Sequence, residues 1–207
     1  FAVDNNACYC FLSYSGARAA NTMMQRYWQV VADKGREPNP YRAGFLQLVA
    51  VAATDAEAEA KYAPHIEYFY HKCLHWPLQL LSPAGNQDYR SLVATLSNPV
   101  RRTDDLKSLR YGDFVEKGYV IAGSPRTVRD RLREEVVKGL RVGNLMVLLQ
   151  IGSMPHELAI ENIDLFARTV LPELRDEWNE EGWINYWWPE RLRDRVGEPV
   201  SAAAGGQ

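Results

Sequence analysis

Three runs of apolar residues dominate the hydropathy pattern along the chain. They span residues 7–14, 43–53 and 144–151, and each is almost continuously apolar where a half-exposed strand would alternate. A strand that is apolar on both faces is typical of a parallel sheet with helices packed against it. We therefore predict three strands, buried on both faces, in a parallel α/β fold.

The segments between and after these runs have the three- and four-residue spacing of amphipathic helices. Residues 16–35 form the first helix, which we expect to end at Gly35 because glycine often terminates helices. Residues 155–178 form the last helix. The predicted core-facing side chains are Met23, Tyr27, Val30 and Val31 in the first helix and Ile163, Phe166, Val170 and Leu174 in the last.

Capping signals mark the starts of two further helices. Thr54, with Glu57 three residues later, forms a capping box. Ser124 followed by Pro125 is a second helix start, because serine accepts backbone hydrogen bonds and proline fits the first helical turn. Pro64 falls inside the helix that begins after Thr54, so we expect a kink or a restart there.

The middle and the end of the chain do not follow this alternation of strand and helix. Between about residues 76 and 118, prolines and polar residues interrupt the apolar pattern, which predicts an insertion with one or two short helices. Residues 179–207 combine an aromatic segment with a small-residue tail whose composition is typical of disorder. We therefore assign residues 1–178 to one α/β domain and the remainder to a tail.

Composition and charge narrow the class of protein. The apolar fraction of 46% and the charged fraction of 24% are those of a soluble globular domain. A net charge of −2 gives no electrostatic attraction to nucleic acid or to an anionic membrane. No apolar run reaches the ~20 residues of a membrane span. Cys8 and Cys10 share one face of an extended segment, which is poor geometry for a disulfide, so we expect a reducing, cytoplasmic location.

Polar side chains follow two of the predicted strands at their carboxyl ends, where parallel α/β folds bind ligands. Gln150 lies at the end of the third strand and Ser153 and His156 follow it, while Ser13 and Tyr14 end the first. His156 is the candidate proton donor, because histidine titrates near neutral pH. The alternative is structural: Ser153 caps the last helix, His156 is a surface residue, and Tyr14 closes the core.

Three other motifs indicate binding sites less strongly. His71 and His75 lie on one side of a helix, but no further cluster supplies the three or four ligands of a zinc site, so we expect no metal. Residues 123–125 open a helix, and a helix amino terminus attracts anions, which leaves a phosphate contact as an alternative. The aromatic segment around Trp183 either packs on its own domain or forms a contact surface.

Three sequence blocks carry a family likeness. They are "NPYRAGFLQLVAVAATDAEAE", "YVIAGSPRTVRDRL" and "VGNLMVLLQIGSMPHELAIENIDLFARTVLPEL". In order and spacing they resemble the carboxyl-terminal portion of the luciferase-like flavin-dependent monooxygenases, over roughly residues 7–174. That family has a TIM (β/α)8 barrel fold, in which reduced flavin, either FMN or F420, lies at the carboxyl ends of the strands.

The resemblance implies a partial barrel. The three predicted strands correspond to the last three of eight, so the chain carries about the last three βα units with a helical insertion. A complete barrel takes about 250 residues, and the residues that grip the flavin phosphate in the family lie upstream. The start at Phe1, close to the first strand, agrees with the expectation of a fragment. Open sheet edges predict poor solubility or a homo-oligomer.

The activity that the resemblance implies is that of a flavin-dependent monooxygenase. Such an enzyme acts on paired donors with molecular oxygen and takes a small-molecule substrate. Ser13, Tyr14, Gln150 and Ser153 would form part of the cleft wall, His156 would be catalytic, and the fragment alone is expected to be inactive. Two alternatives stay open: a non-enzymatic interaction module that uses the Trp-rich end, and an unrelated barrel hydrolase.

Overall fold

The computed structural model describes residues 1–74, 89–90, 93 and 106–185. Within them, four parallel strands form one sheet. The strands are β1 (Tyr9–Leu12), β2 (Ala43–Val51), β3 (Val120–Gly123) and β4 (Asn144–Leu148). The parallel α/β prediction is confirmed, and the three predicted strands are present with shorter bounds. β3 was not predicted, because its apolar run is only four residues long and directly precedes a helix cap.

β2 is the central strand, and all the other strands pair with it. Gly44 lies between Cys10 of β1 and Asn144 of β4, which places these two strands on opposite edges of β2. Leu48 lies between Val120 of β3 and Leu148 of β4, so β3 shares an edge with β1. β1 therefore pairs with the amino half of β2, and β3 with its carboxyl half.

This order differs from that of consecutive barrel strands, in which each strand pairs with the next along the chain. A consecutive order would put β3 between β2 and β4, whereas β4 lies directly beside β2. The lengths of the strands give the physical reason. β1 pairs only with the first four of the nine residues in β2 and β3 only with the last four, so both fit on one edge of β2 and the other edge is left to β4.

Helices follow each strand, and six helices have their bounds within the described residues. They are α1 (Gly16–Asp33), α2 (Asp55–Tyr68), α3 (Tyr111–Glu116), α4 (Pro125–Arg131), α5 (His156–Thr169) and α6 (Leu171–Leu174). A short 3-10 turn, Pro40–Arg42, leads into β2. α2 continues into a π-helical segment at Phe69–Cys73, and α4 into another at Leu132–Lys138.

The predicted helix boundaries agree with the structure at three places. Thr54 Oγ1 accepts a hydrogen bond from the Glu57 amide at the start of α2, and Ser124 caps α4 in the same way. Gly35 follows the end of α1 with a φ of +59°, a conformation that glycine adopts without steric cost. The predicted restart at Pro64 is wrong, because α2 continues through it and widens into the π-helical segment only at Phe69.

Two apolar clusters lie on opposite faces of the sheet. Alternate β2 residues, including Phe45 and Val49, pack with α1, α4 and α5 in the first cluster. The intervening residues, including Leu48 and Ala50, pack with α2 and α3 in the second. Helices therefore cover both faces, and the strand that they share, β2, is buried along almost its whole length.

The predicted core stripes of the first and last helices are each wrong at one position. Met24, not Met23, is buried in α1, and Met23 is about half exposed. In α5 Ile163 is exposed, while the adjacent Asn162 is completely buried. A hydrophobic stripe cannot reveal a buried asparagine, because the asparagine is held by specific backbone partners that lie far away in sequence.

The prediction that every strand is buried on both faces is wrong for β1 and β4. Leu12 is 46% exposed and Met146 is 37% exposed, and both lie on the face that carries the second cluster. Cys10 is exposed on the same face, and Leu46 between the two strands is only partly buried. The reason is that α2 and α3 cover only the carboxyl half of this face. We call the uncovered part, formed by Cys10, Leu12, Leu46 and Met146, the open half-face.

The predicted insertion and tail lie mostly outside the described residues. Of the insertion at 76–118, the structure describes α3, the residues next to it, and three isolated helical positions. The tail is described as far as residue 185, and there Trp183 lies under the guanidinium group of Arg141, 5.6 Å from the ring centre. No helix among the described residues is long and apolar enough to cross a membrane.

Candidate functional site

The loops at the carboxyl ends of β1 and β4 both contact helix α2 and its π-helical extension. The Tyr14 ring, after β1, lies 5.8 Å from the Phe69 ring. Gly152, after β4, has a φ of +57°, and a Cβ there would lie 2.3 Å from the carbonyl oxygen of His65 and 3.1 Å from Cβ of Phe69. Phe69 therefore touches both loops and brings them to one place on the surface.

The hydroxyl group of Ser153 lies 2.9 Å from Nδ1 of His65. Ser153 is exposed and His65 is partly exposed, so solvent reaches the pair. Ser153 does not cap α5, because the residue that precedes this helix is Pro155. Sequence reasoning missed His65, since 88 positions separate the two residues and nothing in the helical pattern of α2 marks the histidine as a partner.

The other predicted site residues have surroundings of their own. His156 is the first residue of α5, and both it and Gln150 have exposed side chains. The hydroxyl group of Ser13 accepts a hydrogen bond from the Ser15 amide, so it shapes the turn into α1. The structure therefore brings Tyr14 and Ser153 to α2 and gives Ser13 a local structural role.

A buried tyrosine supports the loop after β1 from below. The hydroxyl group of Tyr70 donates a hydrogen bond to the carbonyl oxygen of Tyr14 at 2.8 Å, and it lies 3.2 Å from that of Tyr119. Its ring stacks on Phe114, with 4.3 Å between the ring centres. Burial raises the pKa of Tyr70 well above its usual value, so the phenol stays protonated and keeps its donor.

A buried asparagine fixes the start of the loop after β4. β4 ends at Leu148 whereas β2 continues to Val51, so the last residues of β2 lack a strand partner on that edge. Asn162 takes that place: its Oδ1 accepts from the Val51 amide at 2.7 Å. Its Nδ2 donates to the carbonyl oxygens of Val49 at 3.0 Å and Leu149 at 2.7 Å. One side chain from α5 therefore joins β2 to the loop.

The amino terminus of α4, an anion site by its sequence, already holds a carboxylate of this chain. Oδ1 of Asp55 accepts a hydrogen bond from the Ser124 amide at 2.6 Å, and Oδ2 accepts one from the Thr127 hydroxyl group at 3.1 Å. The bond from the Ser124 amide is the main cause that lowers the pKa of Asp55. Gly123 leaves room for this carboxylate, since a Cβ there would lie 2.6 Å from Oδ1. A phosphate would have to displace Asp55 to bind here.

The histidine pair that resembles half of a metal site is partly outside the described residues. His75 lies outside them, while Nε2 of His71 lies 2.9 Å from the carbonyl oxygen of Leu109. Where the structure describes the chain, no group of three or more histidine, cysteine, aspartate or glutamate side chains is placed to hold a metal ion. The hydrolase alternative therefore finds no ligand cluster in those parts of the chain.

Comparison with solved structures identifies proteins of similar fold. One is the oxygenating constituent of 3,6-diketocamphane monooxygenase from the CAM plasmid of Pseudomonas putida, a type II Baeyer–Villiger monooxygenase in complex with FMN. It is 18% identical, with a TM-score of 0.51 over 84% of this chain. Another is the monooxygenase RslO1 from Streptomyces bottropensis, which is 15% identical, with a TM-score of 0.50 over 83% of this chain.

These likenesses concern the fold, and they concern only part of each protein. The chain spans 44% of the first structure and 43% of the second, which is less than half of either. Among curated proteins, no sequence matches the chain.

The sequence profile of a known family matches the larger part of the chain. The family is described as luciferase-like monooxygenase, and the match runs over residues 5–141 of the 207. The block that follows residue 141, which contributes to the resemblance at the sequence level, lies beyond the matched span. Because the match covers more than half of its length, the chain belongs to the luciferase-like monooxygenase family.

Proposed function

We propose that this chain is the carboxyl-terminal part of a flavin-dependent monooxygenase that acts on a small-molecule substrate with molecular oxygen. The observation that carries the proposal is the family match over residues 5–141. The similar structure that holds FMN supports a flavin as cofactor. In this proposal residues 1–178 contribute to one barrel domain and the remainder forms a tail.

The open half-face supports the idea that the chain supplies only part of a barrel. Leu12 and Met146 lie on opposite sides of β2, and their side chains remain partly in water. Complete burial of such a side chain contributes about 1.5–3 kcal/mol. Further chain packed on this face would cover the apolar surface, and further strands would pair with the open edges of the sheet. Until they do, the chain is expected to self-associate or to be inactive.

The loops after β1 and β4 are suited to contact a flavin ring, but they do not offer a site for its phosphate. Tyr14 and Phe69 present aromatic surface. Gln150 and Ser153, on the segment after β4, and His65 on α2 present hydrogen-bonding groups. The helix start that could hold a phosphate is taken by Asp55. We therefore propose that residues outside the described part bind the flavin phosphate. The proposed cofactor is FMN or F420.

In the proposed enzyme, the bound reduced flavin supplies the electrons for oxygen chemistry. The residues of this chain would orient the substrate and the flavin ring, and their side chains would hold a proton close to the substrate. Tyr14 would pack against the flavin ring system, while the hydrogen-bonded pair of His65 and Ser153 would relay protons. His156, exposed at the start of α5, is the proposed proton donor because histidine is the side chain that most often serves as a general acid or base.

Quenching of flavin fluorescence by the purified chain tests the proposed wall. We expect weak quenching of FMN or F420 by the wild type, no turnover of the reduced flavin, and loss of quenching in Tyr14→Ala. Tyr68→Ala is the matched control, because Tyr68 is 47% exposed on α2 and Tyr14 is 37% exposed. Equal quenching by the two variants would contradict the proposal that Tyr14 forms part of the flavin site. Turnover of reduced flavin by the 207-residue chain alone would contradict the partial barrel.

A further inference from the structure

Two cysteines lie side by side at the start of β1. The sulfur atoms of Cys8 and Cys10 are 3.7 Å apart. Cys10 is exposed on the open half-face and Cys8 is partly exposed beside it, so reagents in solution can reach the pair. The third cysteine of the chain, Cys73, lies in the π-helical segment after α2 and offers an internal comparison.

Neighbouring groups hold the two sulfurs in this arrangement. Nδ2 of Asn144 lies 3.6 Å from the sulfur of Cys8 and also donates to the carbonyl oxygen of Tyr41 at 2.8 Å. The sulfur of Cys10 rests over Gly44, where a Cβ would lie only 2.8 Å away. A glycine in the central strand therefore makes the space that lets Cys10 lie flat against the sheet beside Cys8.

The geometry decides against a disulfide between the two residues. A disulfide bond is about 2.05 Å long, so the sulfurs, 3.7 Å apart, would have to approach by about 1.6 Å. Two positions apart on an extended backbone, Cα atoms are separated by about 6.7 Å, at the upper limit for disulfides. The backbone at the start of β1 would therefore have to bend, although β1 is paired with β2.

The same spacing suits an atom that bonds both sulfurs at once. A thiophilic centre with sulfur bonds of about 2.3 Å and bond angles of about 90–110° holds its two sulfurs about 3.3–3.8 Å apart. The observed 3.7 Å falls within that range without backbone movement. In the described parts of the chain no third histidine, cysteine or carboxylate joins the pair, so a cation that needs four ligands would be held incompletely.

Trivalent arsenic with one organic substituent needs two sulfur ligands and no more. Burial, reinforced by the neighbouring Cys10, raises the pKa of Cys8 to about 12, so Cys8 is a neutral thiol near neutral pH. A neutral thiol reacts slowly with oxidants that attack thiolates. Condensation with an arsenic oxide is compatible with a neutral thiol, because its proton leaves in the water that forms.

We propose that Cys8 and Cys10 form a vicinal dithiol site that captures monosubstituted trivalent arsenicals, and thiophilic centres that likewise require two sulfurs. In the capture of phenylarsine oxide, two As–S bonds form while the arsenic–oxygen bond and two S–H bonds break. The oxygen and the two protons leave as one water molecule. Arsenic stays trivalent and no electrons are transferred, so the step needs no further reagent.

Intact-protein mass spectrometry of the reduced full chain, treated with phenylarsine oxide, tests the proposal. We expect one phenylarsenic group per chain that survives an excess of a monothiol and is released by a small dithiol. Because the second sulfur bond is intramolecular, loss of either thiol should weaken retention by roughly 100-fold or more. Cys8→Ser and Cys10→Ser should therefore lose the monothiol-resistant adduct, while Cys73→Ser should keep it.

Two outcomes would overturn the proposal. One is a wild-type chain whose adduct is removed by the monothiol, and the other is an adduct that persists in Cys8→Ser or Cys10→Ser. Circular dichroism checks that the variants remain folded, and Cys10→Ser carries the test if Cys8→Ser does not fold, because Cys10 is exposed. The readout does not depend on flavin binding, so this proposal and the proposed monooxygenase function can fail independently.

Discussion

The two halves of the sheet face beneath α2 differ in how they are covered. At the carboxyl half, Leu48 and Ala50 are buried under α2 and α3, and the loops there are tied down by Tyr70 and Asn162. At the amino half, Leu12 and Met146 remain in contact with water. Strands of similar apolar composition are thus buried or exposed according to what packs above them, which hydropathy along the chain does not record.

The largest effect is expected from shortening one buried leucine, and shortening an exposed leucine in the other half gives the contrast. Leu48→Ala should lower the free energy of unfolding by about 3 kcal/mol, because the side chain is fully buried and its removal leaves a cavity. Leu12→Ala should cost less than about 1 kcal/mol, because Leu12 is already 46% exposed. Urea unfolding followed by circular dichroism measures both, and equal losses would mean that the amino half is covered in solution.

The next largest effect concerns the asparagine that joins β2 to the loop after β4. Asn162→Ala should lower the free energy of unfolding by about 2–3 kcal/mol, because it leaves the buried Val51 amide and the Leu149 carbonyl group without their partner. Asn179→Ala is the control, since Asn179 is exposed and its side chain bonds to the exposed Asp176. Comparable losses for the two variants in urea unfolding would show that the hydrogen bonds of Asn162 add no more stability than those of an exposed asparagine.

The smallest effect is expected at the carboxylate that caps α4. Asp55→Ala removes the bonds to Ser124 and Thr127 and should cost about 1 kcal/mol, as the loss of a helix cap does. The folded-state pKa of Asp55 is lowered. Its contribution is therefore fully present above the unfolded-state pKa of about 3.9 and is lost as the pH falls through the folded-state value.

Thermal unfolding of the wild type and Asp55→Ala at pH values from neutral to acidic checks this dependence. The difference in melting temperature between the two proteins should shrink as the solution becomes acidic. Thr54→Ala is a useful comparison, because it removes an uncharged cap from the neighbouring helix and should show no such change with pH. A constant difference across the pH range would exclude the ionised form of Asp55 as the stabilising species.

Local signals in the sequence were sufficient for the elements that depend on neighbours along the chain. The caps at Thr54 and Ser124 and the end of α1 at Gly35 each involve residues within a few positions of one another. The burial of β2 also follows from its own composition, since nine nearly apolar residues in a row leave no polar face. Such features are decided by short-range geometry and by the hydrophobic effect.

Features that join distant parts of the chain could not be predicted in the same way. The pairing of β4 with β2, the burial of Asn162 and the approach of His65 to Ser153 each depend on a partner many positions away. The filling of the α4 anion site by Asp55 is of the same kind, because the carboxylate and the amide come from different βα units. A polar residue in a helical stripe is normally exposed, and only its partners make it a core residue.

The central position of β2 has a consequence for how this polypeptide could be divided. Residues 1–74 contribute β1 and β2, while residues 106–185 contribute β3 and β4, and both later strands bond to β2. Neither piece forms the whole sheet by itself. In the described part of the chain, the two strands of the second piece pair with β2 and not with each other. Cleavage of the backbone between the two pieces should therefore give two fragments that remain associated through strand pairing with β2, and not two independent domains.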